Sequence, residues 1–163
     1  MTVVEPSSFE TRRVRLSDAE AQPLLHELAY EYATRYGTDE ELGSAVDADF
    51  APPSGLLVVL VENDVVVAGG GFRRYDDRTA ELKRMWTHSA HRRRGLARLV
   101  ITELEREAAD QGYLRSYLTT GPRQPEARAL YLKAGYRPLF DVHSDPELIG
   151  VLAFEKDLRP GSA

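Results

Sequence analysis

The chain has 163 residues, enough for one domain with a sizeable core, and its 42% hydrophobic and 29% charged content is ordinary for a soluble globular protein. It has no Cys, which excludes a disulfide, a thiolate nucleophile and a Cys-ligated zinc, and suits a reducing cytoplasm. A net charge of −5 gives a nucleic-acid partner no global support, no apolar run approaches the roughly 20 residues of a membrane helix, and the opening residues are too short and acidic for a signal peptide.

Residues 1–9 read as a loose arm and 159–163 as a frayed tail, around a single domain spanning 1–163. An edge strand is predicted over 11–16. Ser17 and Asp18 are good N-cap types, and a helix follows to Tyr36, burying Leu24, Leu25, Leu28 and Tyr32 before Gly37 stops it. Residues 38–54 are acidic, end in Pro52-Pro53, and predict a short helix and a loop. Two β-branched runs, 55–62 and 65–72, flank Asn63-Asp64 and predict a tight hairpin. A strand over 79–87 continues the sheet. The clearest helix covers 95–111, where Leu96, Leu99, Val100, Leu104 and Ala108 recur at helical spacing and Gly112 ends the run. A strand over 113–119, a break at Gly121-Pro122, a helix from Pro125 to Ala134 and a strand pair over 136–140 and 148–157 complete the chain. This order predicts a mixed α/β sheet with helices on both faces.

The densest signal is the turn His91-Arg92-Arg93-Arg94-Gly95-Leu96-Ala97-Arg98, between a strand and a helix. Free N–H groups and the positive end of the helix dipole converge there, and Gly95 and Ala97 let an anion approach the backbone. Cations at a helix start oppose the dipole, a local conflict that a bound anion resolves. Positive charge clustered at Arg92, Arg93, Arg94 and Arg98 in an acidic protein points to a small anionic ligand. His88 and His91 form His-x-x-His, but no third ligand lies nearby, so no metal is expected.

The order of elements and three motifs resemble the GNAT superfamily of acyl-CoA-dependent N-acyltransferases. Arg92-Arg93-Arg94-Gly95-Leu96-Ala97 matches its Arg/Gln-x-x-Gly-x-Gly/Ala signature, with Ala97 in place of the second Gly. Ala127-Arg128-Ala129-Leu130-Tyr131, running on to Gly135-Tyr136, matches a later segment, with Gln124 where many members carry Asn. Glu81-Leu82-Lys83-Arg84-Met85 leads into the turn at a similar distance, and Thr87 replaces the usual Val. The likeness covers residues 55–140 well and the N-terminal third by element order.

This resemblance implies the GNAT fold: a mixed central sheet of six to seven strands with a splayed pair of parallel strands, here 82–87 and 114–119. It implies acetyl-CoA as co-substrate, its pantetheine arm paired with strand backbone and a strand N–H near Met85, Trp86 or Thr87 facing the thioester oxygen. The backbone and side chains of Arg92, Arg93, Arg94, Gly95, Leu96, Ala97 and Arg98 would hold the pyrophosphate, with Gln124, Ala127 and Tyr131 lining the same site. Tyr131 matches a tyrosine that protonates the departing thiolate; a phenol of pKa ~10 can donate to a thiolate whose thiol titrates near ~8.5. Glu81 matches a catalytic base in one branch of the superfamily, with ordered water and, on the first helix, Glu27 and Glu31 as alternatives.

The function so implied is transfer of an acetyl group to a primary amine by direct attack in a ternary complex. The acidic stretch 39–49, with Glu27 and Glu31, predicts a cationic small-molecule acceptor. A protein N-terminus or lysine, or a non-catalytic acyl-CoA-binding or sensing domain, are the competing readings. A nucleotide-binding module is disfavoured, since the Gly-Lys-Ser/Thr loop and the full dinucleotide glycine fingerprint are absent. A cytoplasmic protein without nucleic-acid or membrane partners is expected, and a homodimer is compatible with sheets of this kind.

Overall fold

The structure, a computed structural model, describes residues 9–37 and 47–158. Seven strands form one sheet in the order β1-β2-β3-β4-β5-β7-β6. They are β1 (Phe9–Arg13), β2 (Leu56–Glu62), β3 (Val65–Asp76), β4 (Thr79–Thr87), β5 (Arg115–Thr120), β6 (Arg137–Pro138) and β7 (Leu152–Asp157). The helices are α1 (Gln22–Tyr36), α2 (Leu96–Asp110), α3 (Pro125–Lys133) and the single turn α4 (Pro146–Ile149). The acidic segment 38–46 and the two expected tails lie outside the described residues, except that Phe9 begins β1.

The unbroken apolar run of β2 has a simple cause: both faces of this strand are covered, and alternate side chains serve different cores. Leu56, Val58 and Leu60 join the larger core with Leu96, Val100, Ile101 and Leu104 of α2 and Tyr131 of α3. Leu57, Val59 and Val61 face the other way, toward Val14, Ala21 and Phe50. Each fully buried Leu or Ile of α2 contributes about 1.5–3 kcal/mol of transfer free energy. Asn63 and Asp64 both have positive φ, 50° and 64°, as a two-residue type I′ hairpin requires.

Helix α1 buries Leu24 and Leu28 against Trp86, with Leu25 partly buried and packed beside them; Tyr32, expected in the core, is only partly buried. The helix opens with a 3-10 turn, Ala19–Ala21, rather than directly after Asp18. The last two strands are also shorter than predicted. Residues 136–140 contribute only Arg137–Pro138 to the sheet, and residues 146–149 form α4 before β7 begins. Pro146 after the capping carboxylate of Asp145 starts that turn, an N-terminal signal inside an apparently strand-like run.

One topological feature makes the site. Strands β4 and β5 are parallel neighbours, yet their register covers only Thr79–Arg115, Ala80–Ser116 and Glu81–Tyr117. Beyond Glu81 the ladder stops and the strands diverge. A bulge with one extra residue on β4 accompanies this, because Gly69 faces Trp86 while Gly71 faces Lys83. Arg84, in the bulge, has φ of 61° and its guanidinium lies over the Phe50 ring at 5.8 Å.

Candidate active site

A cleft of about 1230 Å³ opens where β4 and β5 part, lined by residues 82–87 of β4 and by Thr119, Thr120 and Gly121 at the end of β5. The β4–β5 ladder does not continue past Glu81, so the strands leave room between them for a ligand's amides to lie along β4. Met85, Trp86 and Thr87 all line the cleft. The Trp86 side chain itself is spent on the core, buried under α1, where its indole N–H donates to Glu27 at 3.1 Å. Glu27 also accepts the Ser89 backbone N–H at 2.9 Å, which ties α1 to the end of β4. Burial alone would raise its pKa, but the hydrogen bonds from Ser89 and Trp86 prevail and lower it. Glu27 is thus a structural anchor.

The turn into α2 is built for an anion. Arg93 and Gly95 both hold left-handed conformations, φ of 66° and 76°, and successive turns of this kind aim N–H groups into one concavity. Gly95 is the N-cap of α2, no side chain caps that helix, and its first turn holds no acidic residue. Its leading N–H groups therefore await an outside acceptor. A Cβ at Gly95 would meet nothing within 4 Å, so glycine is required here by φ and by access rather than by packing. Arg92, Arg93, Gly95, Leu96, Ala97 and Arg98 all line the cleft. Arg98 also donates to the Lys133 carbonyl at 3.1 Å, fixing α2 to the end of α3.

Arg94 behaves differently from its neighbours. It forms a two-pronged ion pair with Glu62 of β2, at 2.9 and 2.6 Å, and is not among the lining residues. Glu62 is nearly buried, and Arg94 supplies its countercharge while pinning the turn to the sheet. His88 accepts the Ala90 N–H at 3.0 Å, and its ring meets His91 edge-on at 5.3 Å.

Tyr131, on α3, lines the cleft although it is 6% exposed. Its ring packs on Tyr136 and Phe154 at 6.0 and 5.8 Å. Burial pushes its pKa well above the ordinary tyrosine value, and the nearby Tyr32 and Glu31 push the same way. The phenol is therefore a protonated donor across the neutral range. Ala127 and Gln124 line the same wall. Glu81 is elsewhere: it is 8% exposed, accepts from the Arg73 guanidinium at 3.0 Å, and does not contribute to the lining. Among the described residues, the carboxylates that line the cleft are Glu31, Glu126 and Glu147.

The far end of the cleft is closed by contacts that sequence reading missed. Arg35 donates to the Arg123 carbonyl and Arg123 to the Arg35 carbonyl, each at 2.9 Å. The Tyr36 hydroxyl donates to the Gln124 side-chain oxygen at 3.2 Å, and that oxygen also accepts from Thr120 and the Gly121 N–H. Gly121 is required by close approach, since a Cβ there would fall 1.9 Å from the Tyr36 oxygen. Arg123 reaches Glu147 at 3.0 Å, bringing α4 into the same latch. These partners lie up to 88 residues apart, and no local motif announces them.

Comparison with known proteins agrees with this geometry. The Acetyltransferase (GNAT) family profile matches residues 21–136. The chain is similar to the uncharacterized N-acetyltransferase YsnE of Bacillus subtilis, 33% identical over 93 residues, covering 54% of this chain and 62% of that one. The chain thus spans under two thirds of this curated relative's length. In structure it resembles an acetyltransferase of the GNAT family from Staphylococcus aureus, with a TM-score of 0.72, 16% identity, and 93% and 100% of the two chains covered. It also resembles a GNAT family acetyltransferase from Elizabethkingia anophelis with acetyl-CoA bound, with a TM-score of 0.65, 14% identity, and 92% and 98% covered. The parted β4–β5 pair, the uncapped α2 and a profile match over most of the sequence lead to one placement: the chain belongs to the GNAT acetyltransferase family.

Proposed function

We propose that this protein is an N-acetyltransferase that moves an acetyl group from acetyl-CoA to a primary amine of a small molecule, by direct attack in a ternary complex. One observation carries the reading. A single cleft joins an uncapped helix start with three lining arginines, a stretch of β4 beyond its pairing with β5, and a buried protonated phenol. Each suits one part of the acyl donor. The N–H groups around Gly95, with Arg92, Arg93 and Arg98, suit a pyrophosphate. The stretch of β4 beyond its pairing with β5 suits a pantetheine arm, and a backbone N–H near Met85 suits the thioester oxygen. The Elizabethkingia relative of the same fold, with acetyl-CoA bound, supports this donor.

Tyr131 serves the sulfur. As the amine nitrogen bonds to the acyl carbon, the carbon–sulfur bond breaks. Tyr131 donates a hydrogen bond to the thiolate as it leaves and relays to it the proton that the new amide nitrogen releases, so the phenol, whose raised pKa disfavours a free phenolate, carries no charge. The ammonium proton leaves beforehand to water in the open cleft, since Glu81 is held by Arg73 outside the wall. Holding both reactants in one cleft supplies most of the remaining advantage.

The test is release of free thiol from acetyl-CoA with and without a panel of primary amines, on the wild type and Tyr131→Phe. We expect amine-dependent release, with kcat in the variant lowered by about 100-fold, within the usual range for a general acid, and acetyl-CoA Kd unchanged within about twofold. Tight acetyl-CoA binding without release on any amine would instead establish a non-catalytic acyl-CoA-binding domain.

A further inference from the structure

We infer that the acceptor is a monocationic amine on an aromatic or aliphatic body, its ammonium docked on Glu31 and its body against Tyr32, Tyr36 and Val151. This rests on the acetyltransferase reading and names the acceptor class for the same cleft. The charge of the stretch 39–49 alone predicts a polycation, but the described cleft is balanced differently. Its carboxylates Glu31, Glu126 and Glu147 share the wall with Arg123 and Lys83, and Arg35 bridges two of them. Among the described residues these charges offset one another, so the described lining does not by itself select a polycation.

Glu31 is the carboxylate best placed to receive one ammonium. Glu31 lines the same cleft as Tyr131, so an amine docked on it shares that cleft with the proposed proton donor. Its partner Arg35 is 3.3 Å away and is held more closely by Glu126, at 2.6 Å, and by the Arg123 carbonyl. Glu126 and Glu147 are each engaged by an arginine at 3.0 Å or less, and both side chains are more than half exposed. Glu31 is only 20% exposed, and a less hydrated carboxylate pairs more strongly with a cation.

The cleft that Glu31 lines also carries aromatic and apolar side chains. Tyr32 and Tyr36 line the cleft with rings 6.2 Å apart, from the half of α1 that the sheet does not bury. Val151, two-thirds exposed, also lines the cleft just before β7. An amine bearing an aromatic ring or alkyl chain buries this surface, whereas spermidine would bring further charges against it.

The experiment compares 2-phenylethylamine, spermidine and glycine as acceptors, with acetyl-CoA binding followed by titration calorimetry on the same samples. We expect kcat/KM for 2-phenylethylamine to exceed the other two by about tenfold or more, a difference that burial of a few methylenes supplies. Glu31→Gln should raise the KM for 2-phenylethylamine by about tenfold while acetyl-CoA Kd holds within about twofold. Val151→Asp, at an exposed position that tolerates substitution, should narrow the preference over spermidine. Equal or better use of spermidine or glycine, no turnover of 2-phenylethylamine, or an unmoved KM in Glu31→Gln would each overturn the inference. Loss of acetyl-CoA binding by the wild type would overturn the acetyltransferase reading instead.

Discussion

The two ends of the cleft are made of different materials. At the α2 end the groups around the cleft are largely backbone: the N–H groups of an uncapped helix, two left-handed residues and the stretch of β4 beyond its pairing with β5. At the α1–α4 end they are side chains, Glu31, Tyr32, Tyr36, Arg123 and Glu147, brought together by a latch between distant segments. A backbone site demands few residue types, but it demands them in a fixed local order. A side-chain site can be rebuilt by any substitution on α1 or α4. On the proposed reading, the first end serves the acyl donor and the second the acceptor.

The contrast can be broken at either end. The largest effect is expected from Gly95→Glu, which forces a side chain into a left-handed position and sets a carboxylate against the anion site; acetyl-CoA Kd should rise by more than about 100-fold by calorimetry. Arg92→Ala and Arg98→Ala should each weaken acetyl-CoA binding by about three- to tenfold, and by less at high salt, because exposed charges are screened. Arg35→Ala should act at the other end, raising acceptor KM by about threefold through a loosened latch with acetyl-CoA Kd held within about twofold. Arg94→Ala should lower Tm, since it strips the countercharge from buried Glu62, and should leave acetyl-CoA Kd nearly unmoved. A cofactor-binding defect in Arg94→Ala as large as in Arg92→Ala would erase the distinction drawn between these neighbours.

A smaller effect concerns pH. Burial holds the Tyr131 and Tyr136 phenols above their ordinary pKa of 10.0. The unfolded chain releases these protons first, so their stabilising contribution is complete below that value and is lost as pH rises beyond it. Tm should fall above about pH 10, and Tyr131→Phe should flatten that fall. A Tm equally pH-sensitive in the variant would mean that other groups govern it.

Legibility in the sequence follows the same division. The β2–β3 hairpin could be read from Asn63-Asp64, and α2 from its apolar spacing and Gly95, because these features need only neighbours in the chain. The seven-strand sheet and the parallel pair followed from element order and family likeness. Glu81 and Arg94 show the limit. Both lie in motifs that suggested the site, but alternation along β4 and the reach of Glu62 direct them to partners on other strands. Burial of Tyr32 was overestimated for a related reason: helical spacing shows which residues share a face but not where the sheet beneath that face ends. The latch of Arg35, Tyr36 and Arg123 had no local signal at all.

The most direct test of the central claim is calorimetric titration of the wild-type protein with acetyl-CoA, CoA and ATP in turn. Acetyl-CoA and CoA should bind in the micromolar range and ATP at least about tenfold more weakly, since ATP offers phosphates to the α2 turn but no amide arm to the stretch of β4 beyond its pairing with β5. Equal binding of ATP would reduce the site to a general phosphate grip. No binding of acetyl-CoA would contradict the account.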